Sequence, residues 1–210
     1  MSPIFEFLFG QYAAYETVDI VLEAIAIIFG LLSVLFSKQN NILVFPTGII
    51  STVIFVYLLL KWELLGDMMI NAYYFIMSIY GWYVWTRKVD ESHVTPITKT
   101  TFNEKKISTA IFLATLLFVY LVYQTFDKWT SWVAYVDTLT TAIFFVGMWL
   151  MARRKLENWI FWIVGNIISV PLYFYKGFTL TSFQYLVFTF IAVFGYLAWK
   201  KNISKNLQTA

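Results

Sequence analysis

The chain has 210 residues, 60% of them hydrophobic and only 13% charged, an apolar excess that a soluble domain of this size cannot bury. Cysteine is absent and histidine occurs once, which excludes a disulfide framework, a thiolate centre and a histidine-built metal site. The formal charge of +3 is small, no nucleic-acid partner is expected, and the placement of the charges carries more information than their sum.

Residues 1–17 are expected to form an extracytoplasmic segment. Met1 to Glu16 carries Glu6 and Glu16 but no Lys or Arg, so the basic start of a cleavable signal peptide is missing. Ile4, Phe5, Leu8, Phe9 and Tyr12 recur at helical spacing and predict a short helix on the outer membrane face, although a frayed tail fits as well. Seven apolar runs then follow, at 19–36, 42–60, 67–85, 107–124, 132–151, 156–175 and 181–199, each near the roughly 20 residues that cross a bilayer core. They are unbroken rather than alternating, so helices are expected and barrel strands are not. The polar stretch 87–106, which contains His93 and Pro96, reads as a cytoplasmic linker, and 200–210 as a cytoplasmic tail.

Twelve of the fifteen Lys and Arg fall on one side of these spans, leaving Lys61, Lys128 and Lys176 on the other. The positive-inside rule then places the N-terminus outside and the C-terminus in the cytoplasm of a multi-pass inner-membrane protein surrounded by lipid.

Tyr80-Gly81-Trp82-Tyr83-Val84-Trp85 resembles Phe194-Gly195-Tyr196-Leu197-Ala198-Trp199, 114 residues further on. Gly30 and Gly147, Asn41 and Asn158, and Asp19 and Asp137 recur at offsets of 117, 117 and 118. The expected fold is therefore all-α, with seven transmembrane helices in a 3+1+3 arrangement. Two parallel three-helix repeats, 18–86 and 132–199, are joined by a linker helix at 107–124, a SWEET-like plan. Aromatic anchors at helix ends would explain the two aromatic motifs without a repeat, but not the glycines.

In the sixth run Trp159, Trp162 and Asn166 fall within an arc of roughly 60° on a helix, where two indoles and an amide can converge on one object. Trp159 also suits an interfacial anchor, and Asn166 a bond to a neighbouring helix. Asn71, Tyr74, Ser78, Trp82 and Trp85 form a second stripe on the third run, with Asn71 and Tyr74 the next candidates and Trp82 and Trp85 read as anchors. Gln184 and Tyr185 are candidates near the outer end of the seventh run. Asp137, followed by Thr138, Thr140 and Thr141, has a claim to the solute pathway or to a helix cap. Glu23 suits a proton carrier, a fixed charge or a simple pairing role. Pro46 and Pro171 are read as weak hinge candidates.

Trp159-x-x-Trp162-x-x-x-Asn166, together with Leu65-Gly66-Asp67-Met68-Met69-Ile70 running on through Asn71 to Tyr80-Gly81-Trp82, resembles the PnuC family of vitamin transporters over nearly the whole chain. The resemblance implies uptake of nicotinamide riboside for NAD biosynthesis by facilitated diffusion, with thiamine or, less closely, riboflavin as alternatives. It also implies a homotrimer, trapping of the solute by a cytoplasmic kinase, and no cofactor. The interior of the spans lacks the Lys and Arg that a phosphate requires, so the expected solute is an unphosphorylated, cationic aromatic molecule. A membrane enzyme would need an intramembrane acid and base pair or a metal cluster, and His93 lies outside the spans. A purely structural or receptor-like protein has no need of a convergent Trp/Trp/Asn face.

Overall fold

The computed structural model describes residues 15–62, 65–87, 95–127, 129, 131–176 and 179–208. Among them lie seven α-helices: α1 (Thr17–Lys38), α2 (Val44–Lys61), α3 (Leu65–Thr86), α4 (Phe102–Thr125), α5 (Trp132–Ala152), α6 (Asn158–Tyr175) and α7 (Thr179–Gln208). The expected outer-face segment from Ile4 to Tyr12, and His93, lie outside the described residues. Six of the seven helices are long and apolar enough to cross a membrane. The exception is α3, where Asp67, Asn71 and a series of tyrosines and tryptophans interrupt the aliphatic sequence.

Polarity is turned inside out relative to a soluble bundle. The buried residues of α1 are Asp19, Ala26 and Ser37, while Val21, Ile28, Leu32 and Leu35 face outward. Such a surface is stable only against lipid, where backbone polar groups must be satisfied within the helices themselves. Charges near the helix ends are paired: Lys61 meets Asp19 at 2.8 Å, and Lys176 meets Asp137 at 3.1 Å.

Consecutive helices pack as α1 on α2 on α3 and as α5 on α6 on α7, with α4 against α5. The two sets also touch reciprocally, α1 against α7 and α3 against α5. Local geometry recurs at 114 residues rather than 117. Asn40 and Arg154, with φ of 57° and 59°, end α1 and α5 in the left-handed conformation. Behind them Asn41 N–H donates to Phe36 O and Lys155 N–H to Leu150 O, both at 2.9 Å, closing the last helical turns. Asparagine adopts this conformation readily, whereas arginine does so at a cost. The Arg154 side chain offsets that cost: its guanidinium lies 4.5 Å from the Trp85 ring, donates to Asn40 Oδ1 at 2.9 and 2.8 Å, and bonds the Thr95 carbonyl. Burial pushes this guanidinium down to about 10, which leaves it protonated at neutral pH.

Trp85 is therefore no interfacial anchor. It is 3% exposed, and its Nε1 donates to Met151 O at 3.2 Å, as Trp199 Nε1 donates to Ser37 O at 2.9 Å. Each tryptophan also meets an aromatic ring from a second helix edge to face, Phe45 for Trp85 at 5.0 Å and Trp159 for Trp199 at 5.6 Å. Trp82, by contrast, is exposed.

From Thr95 onward the polar linker is held by hydrogen bonds to the helices and their turns. Thr98 N–H donates to Arg154 O, Leu156 N–H to Thr98 O, and Thr100 N–H to Glu157 Oε2, so this segment is docked on the α5–α6 turn. α4 then begins at Phe102, five residues before the expected start, because Thr101 and Glu104 form a reciprocal capping box. Pro46 lies in the first turn of α2, where a missing N–H breaks no helical bond, while Pro171 is inside α6.

Gly81 and Gly195 permit the ring contacts. A Cβ on Gly195 would lie 2.6 Å from the Trp159 ring, and one on Gly81 2.3 Å from Phe45. Gly195→Ala should therefore cost about 1–3 kcal/mol of stability through overpacking, read as a lower thermal unfolding midpoint by circular dichroism in detergent.

Candidate functional site

A cavity of about 260 Å³ lies between the two helix sets and is lined from α1, α2, α3, α5, α6 and α7. Seven of the eight residues singled out in the sequence line it: Trp159, Trp162, Asn166, Asn71, Tyr74, Gln184 and Tyr185. The eighth, Asp137, does not, and its carboxylate is engaged by Lys176. Glu23 is likewise not among the lining residues.

One wall is aromatic. Trp162 stacks on Phe144 at 5.4 Å and 29°, and Tyr74 meets its edge at 6.2 Å. Phe144 in turn lies nearly parallel to Tyr185 at 6.0 Å and 12°, and Tyr185 packs on Tyr173 at 5.0 Å. Phe144 and Phe188 were not singled out in the sequence, because a phenylalanine inside an apolar helix carries no mark that separates a cavity wall from a lipid contact.

The facing wall is built of small residues, including Gly30, Ser33, Gly48, Ser51, Thr52 and Ser78. Here the 114-residue correspondence explains the space. Gly48 stands where the other helix set has Trp162, and Ser33 where it has Gly147. In α1–α2 the Gly48 Cβ position lies 3.1 Å from Ser33 Oγ, while in α5–α6 Gly147 accommodates the Trp162 ring at 3.5 Å. The large residue has been kept on one side only, which leaves room opposite it.

Polar groups in the cavity divide into committed and open. Asn71 Nδ2 donates to Asp67 O at 2.9 Å, one turn back on its own helix. Asn166 is 3% exposed, and among the described residues no hydrogen bond to its amide is present. No Lys, Arg, Asp or Glu lines the cavity, so its field comes from ring faces, hydroxyls and amides. Such a lining can bind a flat molecule by stacking and, where the molecule is cationic, by attraction to the ring quadrupoles. Among the described residues no cluster of His, Asp and Glu is placed to hold a metal ion.

Fold and cavity together define a class: a multi-span helical membrane protein holding an uncharged aromatic chamber between two sets of helices. The chain belongs to the nicotinamide mononucleotide transporter family, whose sequence profile matches residues 20–201. The nicotinamide riboside transporter PnuC of Escherichia coli is 25% identical over 205 residues, covering 85% of this chain and 84% of the relative. PnuC of Haemophilus influenzae is 26% identical over 95% of this chain and 88% of its own length. The riboflavin/roseoflavin transporter RibM of Streptomyces davaonensis is 22% identical over 91% and 87%. A solved structure, the vitamin B3 transporter PnuC, superposes with a TM-score of 0.66 over 97% of this chain and 91% of that one, at 23% identity. These relatives are transporters, not enzymes.

Asp137→Asn tests where the site ends. The ion pair it removes is partly exposed, so the loss in stability should be about 1 kcal/mol or less. Ligand affinity, measured by titration in detergent, should stay within about twofold.

Proposed function

We propose that this chain takes up a flat, unphosphorylated, cationic vitamin, nicotinamide riboside, for NAD biosynthesis. The observation that carries this reading is the convergence of Trp159, Trp162, Asn166, Asn71, Tyr74, Gln184 and Tyr185 on one cavity without a charged residue. A pyridinium against Trp162 or Trp159 gains about 2 kcal/mol when desolvated, and the open Asn166 amide is available to the ligand's polar substituents. Although the family takes its name from the mononucleotide, a phosphate in this chamber would find neither Lys nor Arg. Thiamine satisfies the same chemistry. Riboflavin is the further alternative, favoured by the likeness to RibM.

In this reading all seven helices span an inner membrane in a 3+1+3 arrangement, with α4 as the extra crossing that lets two three-helix repeats run parallel. The reciprocal contacts α1–α7 and α3–α5 and the paired turns at Asn40 and Arg154 support it. Lys38, Arg87, Arg153, Arg154 and Lys155 at one end, against Lys61 and Lys176 at the other, support a cytoplasmic C-terminus. Transport is by facilitated diffusion with alternating access, a cytoplasmic kinase traps the solute, and the assembly is a homotrimer.

Purified protein titrated with nicotinamide riboside, thiamine, riboflavin and nicotinamide mononucleotide, followed by tryptophan fluorescence, tests the substrate. The riboside should bind and the mononucleotide should not; tight binding of the mononucleotide alone would overturn the reading. Trp162→Ala and Asn166→Ala should each weaken riboside binding by about tenfold or more with helical circular dichroism unchanged. Proteoliposomes should equilibrate the riboside without an imposed pH gradient, and accumulation that depends on such a gradient would remove facilitated diffusion.

A further inference from the structure

We infer that a second cavity, beside the α5–α6 turn, binds a phosphate group carried by an anionic phospholipid or by a soluble phosphate ester. It measures about 600 Å³ and is lined from the end of α3, the docked linker and the residues that follow α5. Arg87, Arg153 and Lys155 line it, and among the described residues no Asp or Glu does. None of the three cations lines the central cavity, so the inference stands apart from the transport reading.

Two of the cations are fixed by a carboxylate outside the lining. Glu104 is 6% exposed, yet its Oε1 receives Arg153 Nη2 at 3.2 Å and Lys155 Nζ at 3.0 Å. Its other oxygen is taken by the Thr101 N–H and hydroxyl, at 2.9 and 3.0 Å. One carboxylate thus answers two cations, and Arg87, which is exposed, adds a third to the cavity wall. Arg153 Nη1 also donates to Tyr80 Oη at 3.2 Å, and Lys155 Nζ to Thr98 Oγ1 at 2.8 Å. A guanidinium has five donors and an ammonium three, so both side chains are positioned by the protein and still keep donors in reserve. Arg153 also leaves 39% of its side chain accessible.

The partial negative charge of helix C-termini would oppose an anion here, but the carbonyls beside the cavity are occupied. Thr95 donates its N–H to Arg87 O at 3.3 Å and its hydroxyl to Val84 O at 2.8 Å, and Thr98 N–H donates to Arg154 O at 3.2 Å. The cavity therefore presents cations and hydroxyls. A phosphate group suits them better than a carboxylate, because it brings more oxygens to converging donors and, as a monoester, close to two negative charges.

Position accounts for the two sources. Tyr83, which lines the cavity, and its neighbour Trp82 are exposed at the end of α3, the place of an interfacial aromatic belt. Basic pockets between helices at that depth take anionic headgroups. The polar linker borders the same cavity, so a dissolved ester also has access to it.

The test uses the full-length protein in neutral detergent. Glycerol 3-phosphate is titrated by calorimetry, and native mass spectrometry compares retention of phosphatidylglycerol with that of phosphatidylcholine supplied in equal amount. Preference for phosphatidylglycerol without binding of glycerol 3-phosphate supports the lipid source. Binding of glycerol 3-phosphate supports the soluble ester, and neither result overturns the inference. Arg87→Gln and Arg153→Gln should each weaken the probe that binds by about fivefold or more; a probe held equally well by both variants overturns the site. Arg87 is the exposed member, so its variant tests the site without disturbing the Glu104 contacts. Lys201→Gln, on the exposed surface of α7 and outside the cavity, is the control and should bind as the unaltered protein does. A loss there equal to that of Arg87→Gln would make the attraction a general surface charge and overturn the inference.

Discussion

Within a bilayer a polar group has no water to fall back on, and that scarcity of partners organises this molecule from its surface to its cavity. Serines and threonines on the helices return their hydroxyls to nearby carbonyls, as Thr138 does to Ala134 O at 2.7 Å and Thr47 to Leu43 O at 2.6 Å. Asp19 and Asp137 are each paired with a lysine across helices. Once these groups are satisfied, the few polar atoms left open acquire meaning. Asn166, whose amide is one of them, lies along the chamber.

Doubling of structure has not produced doubling of chemistry. The turns after α1 and α5, the ring contacts at Gly81 and Gly195, and the two tryptophan-to-carbonyl bonds repeat from one helix set to the other. Facing residues in the chamber do not. At the 114-residue correspondence Trp159, Trp162 and Asn166 meet Phe45, Gly48 and Thr52, a trade of indole for space and of an open amide for a hydroxyl committed to its own helix. A symmetric chamber with two tryptophan walls would have little volume, and one with two small-residue walls would have no surface for stacking.

Much of the fold was legible because apolar run length and helical periodicity are direct consequences of a lipid solvent. The Trp159, Trp162 and Asn166 face was legible for the same reason, since amides and clustered indoles stand out against an aliphatic background. Phe144 and Phe188 were not, because their contribution is position rather than chemistry. Glycine also misled the alignment. Matching Gly30 to Gly147 gave 117, yet in the structure the small residue has changed sides of the helix pair: Gly30 faces Ser51 in one set, and Gly165 faces Phe144 in the other. Close approach needs one small residue at a crossing and is indifferent to which helix supplies it. Trp85 was misread as an anchor because a tryptophan near basic residues has the same sequence signature whether it faces lipid headgroups or receives Arg154 on its ring.

The two tryptophan bonds at the Arg154 end have a mechanical consequence. Trp85 belongs to one helix set but is held by Met151 of the other, and Trp199 is held by Ser37 in return. Trp85 and Trp199 also touch each other at 5.8 Å. Separating the two helix sets at this end would break both bonds and the ring contact between them, so the cost of opening falls on three interactions at once.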